Sequence, residues 1–116
     1  MFQPVNPISV TILLDTTVRE TIEVDRYVID VLMRDLVGHD RVPSAFLVYL
    51  HLWGETERLE KPAVKASHQS MAECTGLSKS AVQKGIRCLA GRKLLRAHKE
   101  SPTAVPEYRV LKPWRR

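Results

Sequence analysis

The feature that most limits what this chain can become is the stretch 67–89, SHQSMAECTGLSKSAVQKGIRCL, in which two short helical patterns are separated by Thr75, Gly76 and Leu77. Ser67 has the chemistry of an N-cap, and Met71, Ala72 and Cys74 give the first helix its apolar side. Gly76 stops it, because a helix end often needs a left-handed backbone conformation that glycine adopts without a Cβ penalty. Leu77 turns back toward a core. Ser78 caps a second helix, expected over 78–90, by accepting a hydrogen bond from one of its first free amides. At about 100° per residue, Val82, Ile86 and Leu89 form its buried stripe, while Ser80, Gln83, Lys84 and Arg87 form an outward face without an acid. Ala81, Gly85 and Cys88 make a flank of small residues that lets another backbone come near. Gly85 costs roughly 1 kcal/mol against alanine in a helix interior, and close packing is the expected offset.

Charge is divided between the two halves of the chain. Residues 61–116 hold 13 Lys and Arg against 3 Asp and Glu, net +10, whereas residues 1–60 hold 5 against 10, net −5. A basic half built around two helices suits a polyanion, and the acidic half, repelled by the same partner, faces away from it. For any one Lys or Arg, a solvated surface charge is the simpler account. A length of 116 residues suits one domain with a single core. Cys74 and Cys88 have no CxxC spacing and no partnered His cluster, so they read as two buried thiols of a cytoplasmic protein, and no metal or cofactor is expected. The N-terminal MFQPVNPISV lacks a basic segment followed by an apolar one, so no secretion signal is expected. The most apolar run, 45–50, is far shorter than the roughly 20 residues of a membrane-spanning helix.

Taken in order, the chain opens with Ile8, Val10, Ile12 and Leu14 alternating with Ser9, Thr11 and Leu13, then Asp15-Thr16-Thr17 and a stretch over 18–24 rich in β-branched residues. This predicts a β-hairpin or, as the competing reading, an extended arm that pairs only with a second copy of the chain; Thr17 and Glu20 also have the spacing of a helix capping box. Asp25 is placed to cap a helix through Val37, with Tyr27, Val28, Val31, Leu32 and Leu36 on its apolar face and Asp30 and Asp35 opposite. Gly38 is its expected stop. Pro43 suits a helix start, and 45–53, apolar on nearly every side, belongs in the middle of the domain. Gly54 is expected to end that helix, leaving 55–61 as a charged loop. Beyond Gly91, 94–100 and 107–111 read as strands with Leu95, Ala97, Tyr108 and Val110 inward, joined by a loop that two prolines stiffen. Trp114 is expected to pack on the domain.

Helix, glycine-containing turn and helix together resemble the helix-turn-helix of winged-helix DNA-binding domains, with Ala72, Gly76 and Val82 at that family's small, turn and core positions. The resemblance is strongest over the last half of the chain, becomes general before Val42 and ends before Val24. Gly85 departs from it, standing where a larger apolar residue is more usual. The resemblance implies a mainly α fold with a small β-sheet: a winged helix-turn-helix over 25–116, with 62–65 as an edge strand and 94–111 as the wing, behind an N-terminal β-hairpin or arm over 1–24. It implies double-stranded DNA as the partner, read by a homodimer whose half-sites lie about 34 Å apart.

In such a complex the second helix enters the major groove while side chains at its ends and in the wing hold phosphates. Ser78, Lys79 and Ser80 open the helix, where free amides favour an anion. Lys79 at that end is mildly unfavourable, by roughly 0.3–1 kcal/mol, unless a phosphate lies nearby or salt screens it. Gln83 is the candidate for base reading, because its amide both donates to and accepts from adenine, with Lys84 second. Arg87 and Lys93 suit backbone phosphate, and Arg96, Lys99 and Arg109, with His98, are the outward residues of the wing. No paired carboxylates, nucleophile elbow or phosphate-cradling glycine loop points to catalysis. The expected role is a transcriptional regulator; a replication-initiator component and a winged-helix protein-interaction module are the alternatives. A small-molecule effector is left unspecified, with a dimer seam around Tyr27, Tyr49 or Trp53 as the place for one.

Overall fold

The computed structural model describes residues 20–115. Within them are four helices and one small antiparallel sheet: α1 (residues 26–39), α2 (Pro43–Leu59), β1 (Ala63–Lys65), α3 (His68–Thr75), α4 (Lys79–Gly91), β2 (Leu95–His98) and β3 (Glu107–Val110). Most of the expected N-terminal hairpin or arm, and Thr17 of the alternative capping box, lie outside the described residues. The described part of that segment, residues 20–25, forms neither strand nor helix.

Everything is arranged around α2. Pro43 opens it, where a missing amide hydrogen has no partner to lose. Its Ala45, Phe46, Val48, Tyr49, Leu52 and Trp53 are all buried, and it touches α1, α3, α4, β1 and β3. The helix does not stop at Gly54. It runs another turn through Leu59, with Ile22 Cδ1 only 3.4 Å from where a Gly54 Cβ would stand. Part of the expected charged loop is therefore helical, and Arg58 pairs with Glu55 there at 2.7 Å. The end comes at Glu60 in the left-handed conformation (φ 54°), where Lys61 N–H donates to Thr56 O and Glu60 N–H to Glu57 O.

α1 differs from expectation in three ways. Asp25 does not cap it with its side chain; the helix continues beyond Val37; and Gly38 lies inside it, the chain reversing at Arg41 (φ 58°) instead. Its stretches Val28–Leu32 and Asp35–His39 are π-helical, with Met33 N–H donating to Val28 O and Asp40 N–H to Asp35 O. The buried side chains, Val28, Leu32 and Leu36, recur every four residues. An α-helix overshoots a four-residue repeat by about 40° per step, and the wider π turns take back that drift, keeping the three in line. Tyr27 is 39% exposed, so the buried stripe is narrower than the apolar spacing suggested.

The sheet order is β1-β3-β2, with Val64 opposite Tyr108, Leu95 opposite Val110 and Ala97 opposite Tyr108. Val64, Leu95, Tyr108 and Val110 close the core from one side, together with Leu94. Ala97 shares their register but is exposed, because β2 is an edge strand, while its partner Tyr108 on the central strand stays buried. Met71 of α3 and Val82 and Leu89 of α4 complete the interior.

The C-terminal segment folds back across the opposite end. Trp114 lies between Tyr27 (ring centroids 4.6 Å apart) and Trp53 (6.3 Å). Its Nε1 donates to Asp25 Oδ2 at 2.8 Å, and Arg115 grips both Asp25 oxygens at 2.7 Å. Those bonds hold the Asp25 carboxyl well below its ordinary 3.8, at about 2. Tyr49 and Trp53 are buried and Trp114 stacks on Trp53, while Tyr27 stays 39% exposed.

Candidate nucleic-acid interface

Two capped helix starts build the candidate surface. Ser67 Oγ accepts from Ser70 N–H at 3.0 Å and Ser78 Oγ from Ala81 N–H at 3.1 Å, each satisfying an amide that the helix leaves free. Between them Gly76 takes φ 81°, and its N–H donates to Ala72 O, closing α3. α4 then lies against the start of α2 at its small flank. A Cβ on Gly85 would stand 2.9 Å from Ser44 O and 3.1 Å from Ala45 Cα, so only glycine permits this crossing. Val82 and Leu89 are fully buried and Ile86 partly, which turns Lys79, Ser80, Gln83, Lys84 and Arg87 outward; all five are exposed, as is Ser78.

Gln83 has a partner that its own helix does not supply. Its Nε2 lies 3.2 Å from His68 Nδ1, at the first position of α3. Both residues line a shallow groove of about 420 Å³ whose other margin is the β2–β3 loop, from Lys99 to Pro106; Lys79 and Lys99 face it as well. A bond from Ala66 N–H to Pro106 O, 3.1 Å, ties that loop to the approach to α3.

The hairpin supplies a second basic area. Arg96 and Arg109 are directly opposite each other in the β2–β3 register, and His98 and Lys65 both flank Glu107. Facing cations on neighbouring strands repel, and among the described residues no carboxylate forms an ion pair with Arg96 or Arg109. Among the described residues none of Lys79, Lys84, Arg87, Lys93, Arg96, Lys99 and Arg109 pairs with an acid, whereas Arg26, Arg58, Arg92 and Arg115 each do. Lys93 follows α4 in the left-handed conformation (φ 58°), with Leu94 N–H donating to Leu89 O.

Not every basic residue after position 61 belongs to this surface. Arg92 binds Asp35 (2.9 Å) and Asp40 (3.2 Å), fastening α4 to α1, and Arg115 belongs to the Asp25 cluster. Neither cysteine is fully buried: Cys74 is exposed, and Cys88 is half-buried against Asp40, where burial and then the Asp40 charge push its thiol up. Among the described residues no cluster of His, Cys, Asp and Glu is placed to hold a metal, and no helix is long and apolar enough to cross a membrane.

Sequence reasoning missed His68 and Lys65. Lys65 was legible in principle, since alternation around an inward Val64 turns it to the outer face. His68 was not, because fifteen residues separate it from Gln83 and only the crossing of α3 and α4 brings them together. Comparisons with protein-family models, curated proteins and solved structures find no match to this chain.

Proposed function

We propose that this chain is a winged helix-turn-helix protein that binds double-stranded DNA, with α4 in the major groove and the β2–β3 hairpin on flanking backbone. The order of elements and the β1-β3-β2 sheet support the fold reading. The observation that carries the function is the set of seven outward cations on α4 and the hairpin, none of them neutralised by a described carboxylate. Phosphates supply the missing counter-charge, and Gln83 supplies base reading.

The role is that of a cytoplasmic transcriptional regulator acting as a homodimer. Dimerisation falls to α1 and the segment before it, away from the DNA. α1 leaves Ile29, Met33 and Val37 between 39% and 46% exposed along one side, beside acidic residues that a polyanion repels.

Fluorescence anisotropy on random-sequence duplex DNA across a salt series tests the reading. Each neutralised phosphate contributes about −0.9 to the slope of log K against log salt, so a slope near −4 or steeper per chain is expected. A flat, weak response refutes DNA binding and favours a protein partner.

A further inference from the structure

We infer that His68 is a positioning residue that fixes the Gln83 amide for adenine, an inference that rests on the reading of α4 as the helix entering the major groove. An amide nitrogen only donates. In the contact of 3.2 Å between Gln83 Nε2 and His68 Nδ1, the amide nitrogen donates to an imidazole nitrogen that accepts when the ring proton is on Nε2. One N–H of Gln83 is thereby engaged. What remains is one N–H and Oε1, a donor beside an acceptor, which is the pair that adenine N7 and its N6 amino group require in the major groove.

With the ring proton on Nε2, rotating the amide by 180° would set Oε1 against the lone pair of His68 Nδ1 and lose the bond. The contact restrains the Gln83 side chain before any base arrives, and in that tautomer it favours the orientation with Nε2 toward His68. His68 is suited to this. It is half-buried, follows the Ser67 cap directly, and sits at a helix start whose backbone is held by that cap. The groove it shares with Gln83 is also lined by Lys79, Lys99 and Gln69, and among the described residues no carboxylate lines it to compete for the amide.

The test compares site preference in H68F, which keeps the ring's shape without the acceptor, with H68N, whose Oδ1 takes the place of Nδ1. Site selection from a random duplex pool, followed by anisotropy on single-base variants, reads the preference at the base pair facing Gln83. The intact protein prefers adenine there. H68F loses about 3- to 10-fold of that preference, the scale on which freeing one rotamer-rich side chain acts, with its salt slope unchanged. H68N retains the preference, and in a Gln83→Ala background H68F has no further effect. H68A and far-ultraviolet circular dichroism guard against a folding defect in the phenylalanine variant. An intact preference in folded H68F or H68A, or an H68N as impaired as H68F, overturns the role of His68 while leaving DNA binding in place. A protein that shows no salt-steep binding overturns the DNA reading first, before any variant is made.

Discussion

Gly85→Ala is a substitution that helix propensity alone gets wrong in sign. Inside a helix, alanine is favoured over glycine by roughly 1 kcal/mol. At Gly85 the new methyl would stand 2.9 Å from Ser44 O, 3.0 Å from Ser44 C and 3.1 Å from Ala45 Cα. All three atoms are backbone at the start of the central helix, and no rotamer change moves them aside. The helices must separate by a few tenths of an ångström, and overpacking of this kind costs about 1–3 kcal/mol. Because the neighbours are backbone, the upper part of that range applies, about 2–3 kcal/mol, and the helix-propensity gain of roughly 1 kcal/mol leaves a net loss of about 1–2 kcal/mol. Gly38→Ala is the control: it too is helical with ordinary φ, and nothing lies within 4 Å of its Cβ position, so a gain of about 0.5–1 kcal/mol is expected. Urea denaturation followed by the fluorescence of Trp53 and Trp114 reads both. With a slope of about 1–3 kcal/mol per molar urea, the two midpoints should move in opposite directions by several tenths of a molar or more. A Gly85→Ala midpoint at or above that of the unsubstituted protein would refute the close crossing.

Other substitutions separate binding from folding. Lys84→Ala and Arg87→Ala each weaken binding to every duplex and reduce the salt slope by about 1, whereas Gln83→Ala chiefly flattens preference among sequences; anisotropy on matched and scrambled duplexes distinguishes them. Lys93→Gly relieves a left-handed residue at the end of α4, so stability rises by about 0.5–1 kcal/mol in a urea titration while the salt slope falls by about 1. Asp25→Asn loses roughly 1 kcal/mol at neutral pH after allowing for solvent screening. Because the Asp25 carboxyl is depressed in the folded protein to about 2, its contribution is complete above the ordinary carboxylate range. It fades as pH falls from about 4 toward 2, so the gap between the two proteins' urea midpoints should close over that interval.

The helix starts were more legible in the sequence than the helix ends. Ser67, Ser78 and Pro43 act locally, through a side-chain oxygen or a missing amide hydrogen, and each stands where the residues placed it. Glycine was the misleading signal. Gly76 does take a left-handed conformation and does end α3, but Gly38, Gly54 and Gly91 lie within helices, and the left-handed residues beyond those helices are Arg41, Glu60 and Lys93. A glycine in a sequence announces freedom for its backbone or room for a neighbour, and the letters do not say which. At Gly85 the second use was inferred from a flank of small residues, and the Ser44 backbone fills that room. At Gly54 the neighbour is Ile22, in a segment whose path no local pattern sets. Nothing in the structure explains Gly38 or Gly91.

The division of charge was visible in the residue counts, but which cations are available was not. Position along the chain puts Arg92 and Arg115 in the basic half beside Arg87 and Arg109, yet the fold gives them different tasks. Arg92 leaves the end of α4 where Asp35 and Asp40 come within reach; Arg115 follows Trp114 onto the start of α1 and meets Asp25. Both connect the basic half to the acidic one, and in doing so they draw acidic side chains toward the back of the domain. The outward face of α4 keeps its cations because its turns place no acid there, and the hairpin sets Arg96 against Arg109 instead of against a carboxylate. An unpaired cation on a solvated surface costs little, so each one alone says little. Two arginines in register on neighbouring strands repel, and among the described residues no carboxylate pairs with either of them; that arrangement is what the proposed phosphate contacts would relieve.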